Sequence, residues 1–253
     1  MKQIFVLLAT VFISLSCYGE PVKWRQLAPD LEYSALSVST VSGRGKLHSL
    51  RFAPQAYAME ITFADETLSI KAAHVKKLAK KARALLAING GFFTPQYQPL
   101  GLRISGGQIL NPLRNTSWWG VFYMKNNQPH IVSAKSFRRS NKIQFAIQAG
   151  PRLLINNTIP HLKGGLAERS ALGITRDGKV VVVITEHAPL STTQLAKIMN
   201  TQESQGGLEC TNALNLDGGS SSQMYAKVHD FRLYVPSLSP VTDVITVKPI
   251  ENY

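Results

Sequence analysis

Turns limit what this chain can fold into more than any other feature of its sequence. Residues 171–175 and 180–185 are apolar, β-branched runs joined across Asp177-Gly178, a pair that closes a tight hairpin. Residues 102–105 and 108–110 flank Gly106-Gly107, and 119–124 and 130–132 flank Asn126-Asn127, which gives two more. Single strands are expected at 33–41, 57–63 and 143–149, the last ending in Gly150-Pro151, and a short apolar stretch at 47–52 follows Gly43-Arg44-Gly45. Short apolar runs at 84–88 and 213–216 read as buried strands that stop at Asn89-Gly90-Gly91 and Asp217-Gly218-Gly219. Helical spacing of Val75, Leu78, Ala79 and Ala82 predicts an amphipathic helix over 70–83. A second helix starts at a Thr192 N-cap, carries Leu195, Ile198 and Met199 on one face, and stops at Gly206-Gly207. Many hairpins and few helices predict an α+β fold: a single domain with a mixed, mainly antiparallel sheet and at least two helices. The βαβ rhythm of a nucleotide-binding fold is missing, and the two Gly-Gly turns lack phosphate-loop spacing.

The ends and the charge set the compartment. Lys2, an apolar run over 4–15 and the small residues Ser16, Cys17 and Gly19 form the pattern of a signal peptide at 1–19, leaving a domain at 20–253. The run falls short of the roughly 20 residues that span a bilayer, so no stable membrane insertion is expected. Export to the periplasm or medium follows, with lipid attachment at Cys17 as the rival outcome. Cleavage leaves Cys210 alone, so no disulfide can staple the domain and its core must hold it. A formal charge of +13 owes much to Lys71, Lys76, Lys77, Lys80, Lys81 and Arg83 on the first helix. No aromatics interleave with these cations, so nucleic acid is not the expected partner, whereas an anionic polymer or surface stays open. Oligomeric state is not legible.

Several segments share one design, in which an apolar strand delivers a polar residue to its end and glycines follow. Glycine permits positive φ and close approach of a ligand to main-chain amides, and a strand end holds its side chain rigidly. Asn89 and Asp217 are placed this way. Taken singly, each is also an ordinary turn pair. Four motifs occur in order: Asn89-Gly90-Gly91-Phe92-Phe93, Gln148-Ala149-Gly150-Pro151, Arg169-Ser170-Ala171-Leu172-Gly173 and Leu216-Asp217-Gly218-Gly219-Ser220-Ser221. Through them the chain resembles the phosphodiester glycosidase family over roughly residues 55–250. The resemblance implies cleavage between an anomeric carbon and a phosphodiester oxygen of a carbohydrate phosphodiester substrate. It also implies a substrate-binding role for Asn89, Gly90, Gly91, Gln148, Gly150, Gly218, Gly219, Ser220 and Ser221. Ser220 stands where the family commonly has a third glycine, and Ala149 where it has threonine.

The chemistry asks for particular groups. Negative charge grows on the departing phosphate, and a guanidinium answers it with a permanent charge and a bidentate fork. Arg169 is the first candidate, Arg103 the second, and Arg152 lies beside the turns as well. A carboxylate must activate water or attack the anomeric carbon. Asp217 is the first candidate and Glu186, at a strand end before His187, the second. Phosphate leaves readily, so a second acid is not required, and His187 could protonate it. Phe92, Phe93, Trp118 and Trp119 could stack on sugar rings, although Trp119 precedes an apolar strand and suits the core. No Gly-x-Ser-x-Gly elbow or zinc spacing is present, and neither a metal nor another cofactor is expected. A glycan-binding envelope protein without turnover is the alternative. A nuclease would call for paired metal-binding acids or catalytic histidines, which the motifs lack.

Overall fold

The structure, a computed structural model, describes residues 20–40 and 43–250. The expected signal peptide at 1–19 lies outside the described residues, as does position 41 of the first expected strand. The chain opens with β1 (Arg25–Ala28), β2 (Leu31–Thr40), β3 (Gly43–Phe52) and β4 (Tyr57–Phe63), then α1 (Ala64–Leu68), α2 (Val75–Lys81) and β5 (Leu86–Asn89). Next come β6 (Arg103–Ser105), β7 (Gln108–Asn111), β8 (Gly120–Lys125), β9 (Gln128–Ser133) and β10 (Ile143–Ala149). They are followed by β11 (Arg152–Leu154), β12 (Ser170–Thr175), β13 (Val180–Glu186), α3 (Thr192–Asn200) and β14 (Cys210–Asn215). β15 (Met224–Val228), β16 (Phe231–Val235) and β17 (Asp243–Pro249) close it.

The strands form a seven-stranded sheet, β1-β2-β3-β13-β12-β14-β11, and two five-stranded sheets, β7-β6-β10-β8-β9 and β16-β15-β5-β17-β4. Every pairing within them is antiparallel. One buried cluster takes Leu50, Leu172 and Leu214 from the first sheet, Phe122 and Phe145 from the second, and Ile88 and Ile245 from the third. The three sheets therefore share one core, the α+β single domain that the turns predict.

Alternation along β13 shows how layers are assigned. Val180, Val182 and Ile184 face the shared core, while Val181 and Val183 pack under α3 against Leu195, Ala196 and Met199. Gly173 lets that helix settle closely, because a β-carbon there would stand 2.6 Å from Cys210 Sγ and 2.8 Å from Met199 Cε. Cys210 is fully buried, and burial pushes its thiol pKa up, which keeps it protonated and inert. On the third sheet, Val75, Leu78 and Ala79 of α2 cover Ala87, Tyr225 and Val244.

Two helix expectations are corrected. The helix expected over 70–83 is shorter: Ala73 exchanges backbone hydrogen bonds with Val241, which holds the chain extended there, and α2 spans only Val75–Lys81. The second helix is capped one residue earlier than expected. Ser191 accepts from the Gln194 amide and the Gln194 side chain returns to the Ser191 amide, a full capping box that leaves Thr192 as the first helical residue. The helix also ends at Asn200, before Gly206-Gly207. The hairpin at Asn126-Asn127 has φ of 51° and 55°, a turn whose twist suits its strands.

Candidate functional site

Several strand ends meet on one side of the core. β5, β10 and β14 end at Asn89, Ala149 and Asn215, and β12 and β17 begin at Ser170 and Asp243. Asn89 knits them together. Its buried Oδ1 accepts from the Ser170 hydroxyl (2.7 Å) and the Gln223 amide (3.2 Å), and its Nδ2 donates to the Asp217 carbonyl (2.8 Å). Asn215 does the same for the neighbouring turn, donating to the Gly150 carbonyl at 3.1 Å. Its Oδ1 is buried without a hydrogen-bond partner among the described residues. The three glycine turns at Gly90, Gly150 and Gly218 thus form one frame.

Under that frame lies an ion pair. Arg103 and Asp243 are both buried, with Arg103 Nε 3.2 Å from Asp243 Oδ2. The guanidinium also donates to the carbonyls of Gly101, Leu102 and Gln148, and to Phe92 at 3.4 Å. Burial raises the Asp243 pKa, and the charge and hydrogen bonds of Arg103 pull it back. Gly90 is required here, since a β-carbon would fall 1.7 Å from Asp243 Oδ1. Gln148 is buried with its amide committed: Oε1 accepts from the Leu102 and Arg114 amides, and Nε2 donates to the Arg114 carbonyl. Arg103, Asn89 and Gln148 consequently direct their polar groups inward.

Asp217 opens the last turn. Its amide donates to the Gly90 carbonyl (3.3 Å), its Oδ1 accepts from the Gly218 amide (2.9 Å), and Ser221 hydrogen-bonds the carboxylate. Burial raises its pKa, the Ser221 and Gly218 hydrogen bonds oppose this, and nearby Asp243 adds to the rise. Gly218 and Gly219 press against the chain before β12: Gly219 donates to the Glu168 carbonyl at 2.8 Å, and a β-carbon on Gly218 would meet that oxygen at 2.9 Å.

Glu168 and Arg169 are adjacent and point into different cavities. A cavity of about 440 Å3 is lined by Glu168, Glu186, His187, Ser220, Ser222 and Leu238. Another, of about 490 Å3, is lined by Arg169, Lys163, His161, Trp118, Pro151 and Thr192. Asp217 lines neither, but Gly219, two residues after it, lines the first. In the first cavity, the Glu168 carboxylate accepts from the Thr185 hydroxyl (2.5 Å) and the Ala188 amide (3.1 Å), and the Ser222 hydroxyl is buried without a partner among the described residues. Glu186 is 3.0 Å from His48 Nε2, and His48 Nδ1 is 2.8 Å from the Tyr33 hydroxyl. In the second, Arg169 Nε and Nη2 donate to the Leu190 and Gly165 carbonyls, each at 2.7 Å. Among the described residues no carboxylate pairs with Arg169, and burial lowers its pKa.

Phe92, Trp118 and Trp119 form an aromatic group with centroids 5.0 to 6.4 Å apart. Trp118 is 57% exposed and offers a face to the Arg169 cavity, whereas Trp119 is buried. Phe93 stacks on Tyr97 instead. The stem of Arg152 packs against Gly120, and His187 is exposed at a positive φ of 52°. Asp243, Glu168 and His48 are members of the site that no turn motif marks. An acid inside the apolar run Val241-Thr242-Asp243-Val244-Ile245 was the available signal for a buried pair, and Glu168 stands directly before the Arg169 motif. Among the described residues no three His, Cys, Asp or Glu side chains are grouped to hold a metal ion.

Comparison with known proteins gives the family and the fold. The family model described as phosphodiester glycosidase matches residues 82–248, about two thirds of the chain, and the protein belongs to that family. The uncharacterized protein YigE of Escherichia coli is 35% identical over 115 residues, 41% of this chain and 45% of that protein, so the match spans less than half of the relative's length. The zebrafish N-acetylglucosamine-1-phosphodiester alpha-N-acetylglucosaminidase catalytic domain, auto-inhibited by its pro-peptide, superposes with a TM-score of 0.66 at 17% identity, covering 90% of this chain and 86% of that one. A hypothetical protein from Synechocystis gives 0.63, also at 17% identity, over 90% of this chain and 64% of its own. At such identity these likenesses speak for the fold.

Proposed function

We propose that this protein hydrolyses a sugar-1-phosphodiester, with the sugar and the phosphate held on opposite sides of Asp217. The observation that carries the reading is the separation of charge between two cavities that the adjacent residues Glu168 and Arg169 line from either side. Arg169, Lys163 and His161 line one cavity and Glu168 and Glu186 the other. Phosphate oxygens suit the Arg169 and Lys163 cations, and Trp118 offers a stacking face beside them. Carboxylates suit the hydroxyls of a sugar ring. The anomeric bond would then lie over Asp217, whose carboxylate acts as base toward water or as nucleophile.

In this reading Gly90, Gly91, Gly150, Gly218, Gly219, Ser220 and Ser221 shape the substrate-facing turns. Asn89, Gln148 and Arg103 are not the direct substrate contacts that the sequence suggests but position those turns from beneath. Glu186 is the reserve carboxylate, oriented by His48. Export by way of a signal peptide at 1–19, and an envelope or extracellular glycan as substrate for the domain at 20–253, belong to the same proposal.

A glycan-binding role without turnover is the second reading. It is favoured by the commitment of Glu168 and Glu186 to protein donors. The test is to incubate the protein with a panel of sugar-1-phosphodiesters and assay free reducing sugar and phosphomonoester together. Equal release of both supports the hydrolase. Binding of the panel with no release supports the glycan-binding protein.

A further inference from the structure

A third concavity, of about 680 Å3, lies at the far ends of two strands that also reach the site. Its lining includes Lys80 from α2, Arg83 after it, Lys227 of β15, His229 in the following turn, Arg232 of β16, and Tyr225. No carboxylate lines it, and none of Lys80, Arg83, Lys227 or Arg232 forms an ion pair among the described residues. Asp230, in the same turn as His229, does not line it. Arg232 is held in place by Nη1 donating to the Phe231 carbonyl (2.8 Å) and to that of His229. Lys80 is therefore more than part of a solvated helix face, because the fold adds Lys227, His229 and Arg232 across from it. Like charges gathered in a concavity repel one another, and a bound polyanion relieves that repulsion.

The placement indicates what such an anion would be doing. β5 runs from Leu86, beside this groove, to Asn89 in the site, and β15 runs from Met224, two residues after Ser222, to Val228, next to His229. At about 3.3 Å per residue, Leu85 and Asn89 are roughly 13 Å apart. A chain of sugar phosphates is long enough to occupy both. We propose that this groove binds a phosphodiester-linked polymer and anchors the chain whose sugar-1-phosphate is cleaved, an assignment that rests on the hydrolase reading for its second half. Anchoring raises the effective concentration of the scissile unit, so it lowers KM for polymers and leaves small substrates unaffected. Nucleic acid fits less well: Tyr225, the aromatic ring in the groove, is 8% exposed and gives bases no free platform.

The experiment titrates the protein with a poly(glycerol phosphate) oligomer at low salt, and with a single-stranded oligonucleotide of equal charge. A Lys80→Glu/Arg232→Glu variant is compared with Arg139→Glu/Lys142→Glu, which makes the same change of charge at exposed positions outside the groove. The expected result is polymer affinity reduced at least about tenfold by the groove pair and within about twofold of wild type for the control. KM for a polymeric substrate should rise in the groove variant alone, with KM for a small sugar-1-phosphodiester unchanged. Absence of polymer binding, equal weakening by both variants, or tighter binding of the oligonucleotide overturns the proposal. Polymer binding without turnover of any substrate sinks the hydrolase reading and not the groove's anion binding.

Discussion

At Asp217 burial and hydrogen bonding act in opposite directions on one carboxyl, and burial wins. Its folded pKa lies above the unfolded value, so the native state binds the proton more tightly and the ionised form costs stability. That cost is absent below the ordinary aspartate pKa of about 3.9, grows as pH rises through the folded pKa, and is complete above it. Asp217→Asn should therefore be at least as stable as wild type at neutral pH, which a thermal melt checks, because amide oxygen can still accept from Gly218. In the wild type, kcat/KM should fall as pH drops through the raised pKa, and a pH–rate profile reads that limb directly. Arg169 makes a different demand. Two of its donors already tie the Leu190 and Gly165 carbonyls, so a lysine cannot hold the cavity wall and face a phosphate at once. Arg169→Lys should lose nearly as much kcat/KM as Arg169→Ala, on the order of 2–5 kcal/mol of transition-state binding. Wild-type kcat/KM in the lysine variant would remove Arg169 from the site.

At the scale of elements, the sequence exposed those whose limits are set by local chemistry. The hairpin turns at Gly106-Gly107, Asn126-Asn127 and Asp177-Gly178 are encoded by residues that tolerate positive φ, and all three were legible. So were β4 and β10, which follow the expected bounds. The α2 boundary was not legible, because the Ala73 bridge to Val241 is a long-range contact that overrides helical periodicity. The candidate site divides in the same way. Asn89 and Asp217 announce themselves by the glycines after them. The partnership of Arg103 with Asp243, 140 positions apart, has no local signature. Gly90 gives that pairing a test: Gly90→Ala places a methyl group on the Asp243 carboxylate and should displace the buried pair. A loss of about 3–5 kcal/mol in unfolding free energy is expected from a urea titration, and an unchanged midpoint would mean the turn and the pair are not in contact.

At the scale of the whole molecule, three antiparallel sheets close on one core and leave their glycine turns together on one side. The Arg103–Asp243 pair joins β6 of one five-stranded sheet to β17 of the other directly beneath those turns. Arg103→Met strands a buried carboxylate and should cost about 3–5 kcal/mol, read as a lowered urea midpoint, with activity lost through the frame. A midpoint equal to wild type would show that the sheets do not depend on the pair. The central claim is that this frame presents Asp217 to a sugar-1-phosphodiester for hydrolysis. Its most direct test is reducing-sugar release by wild type and Asp217→Asn on one substrate, with ligand affinity measured on the same preparations. The account predicts turnover by the wild type and a fall of roughly 10²–10⁴ in the folded Asn variant, with affinity largely kept. Near-normal turnover by Asp217→Asn, or binding without any release by the wild type, would contradict it.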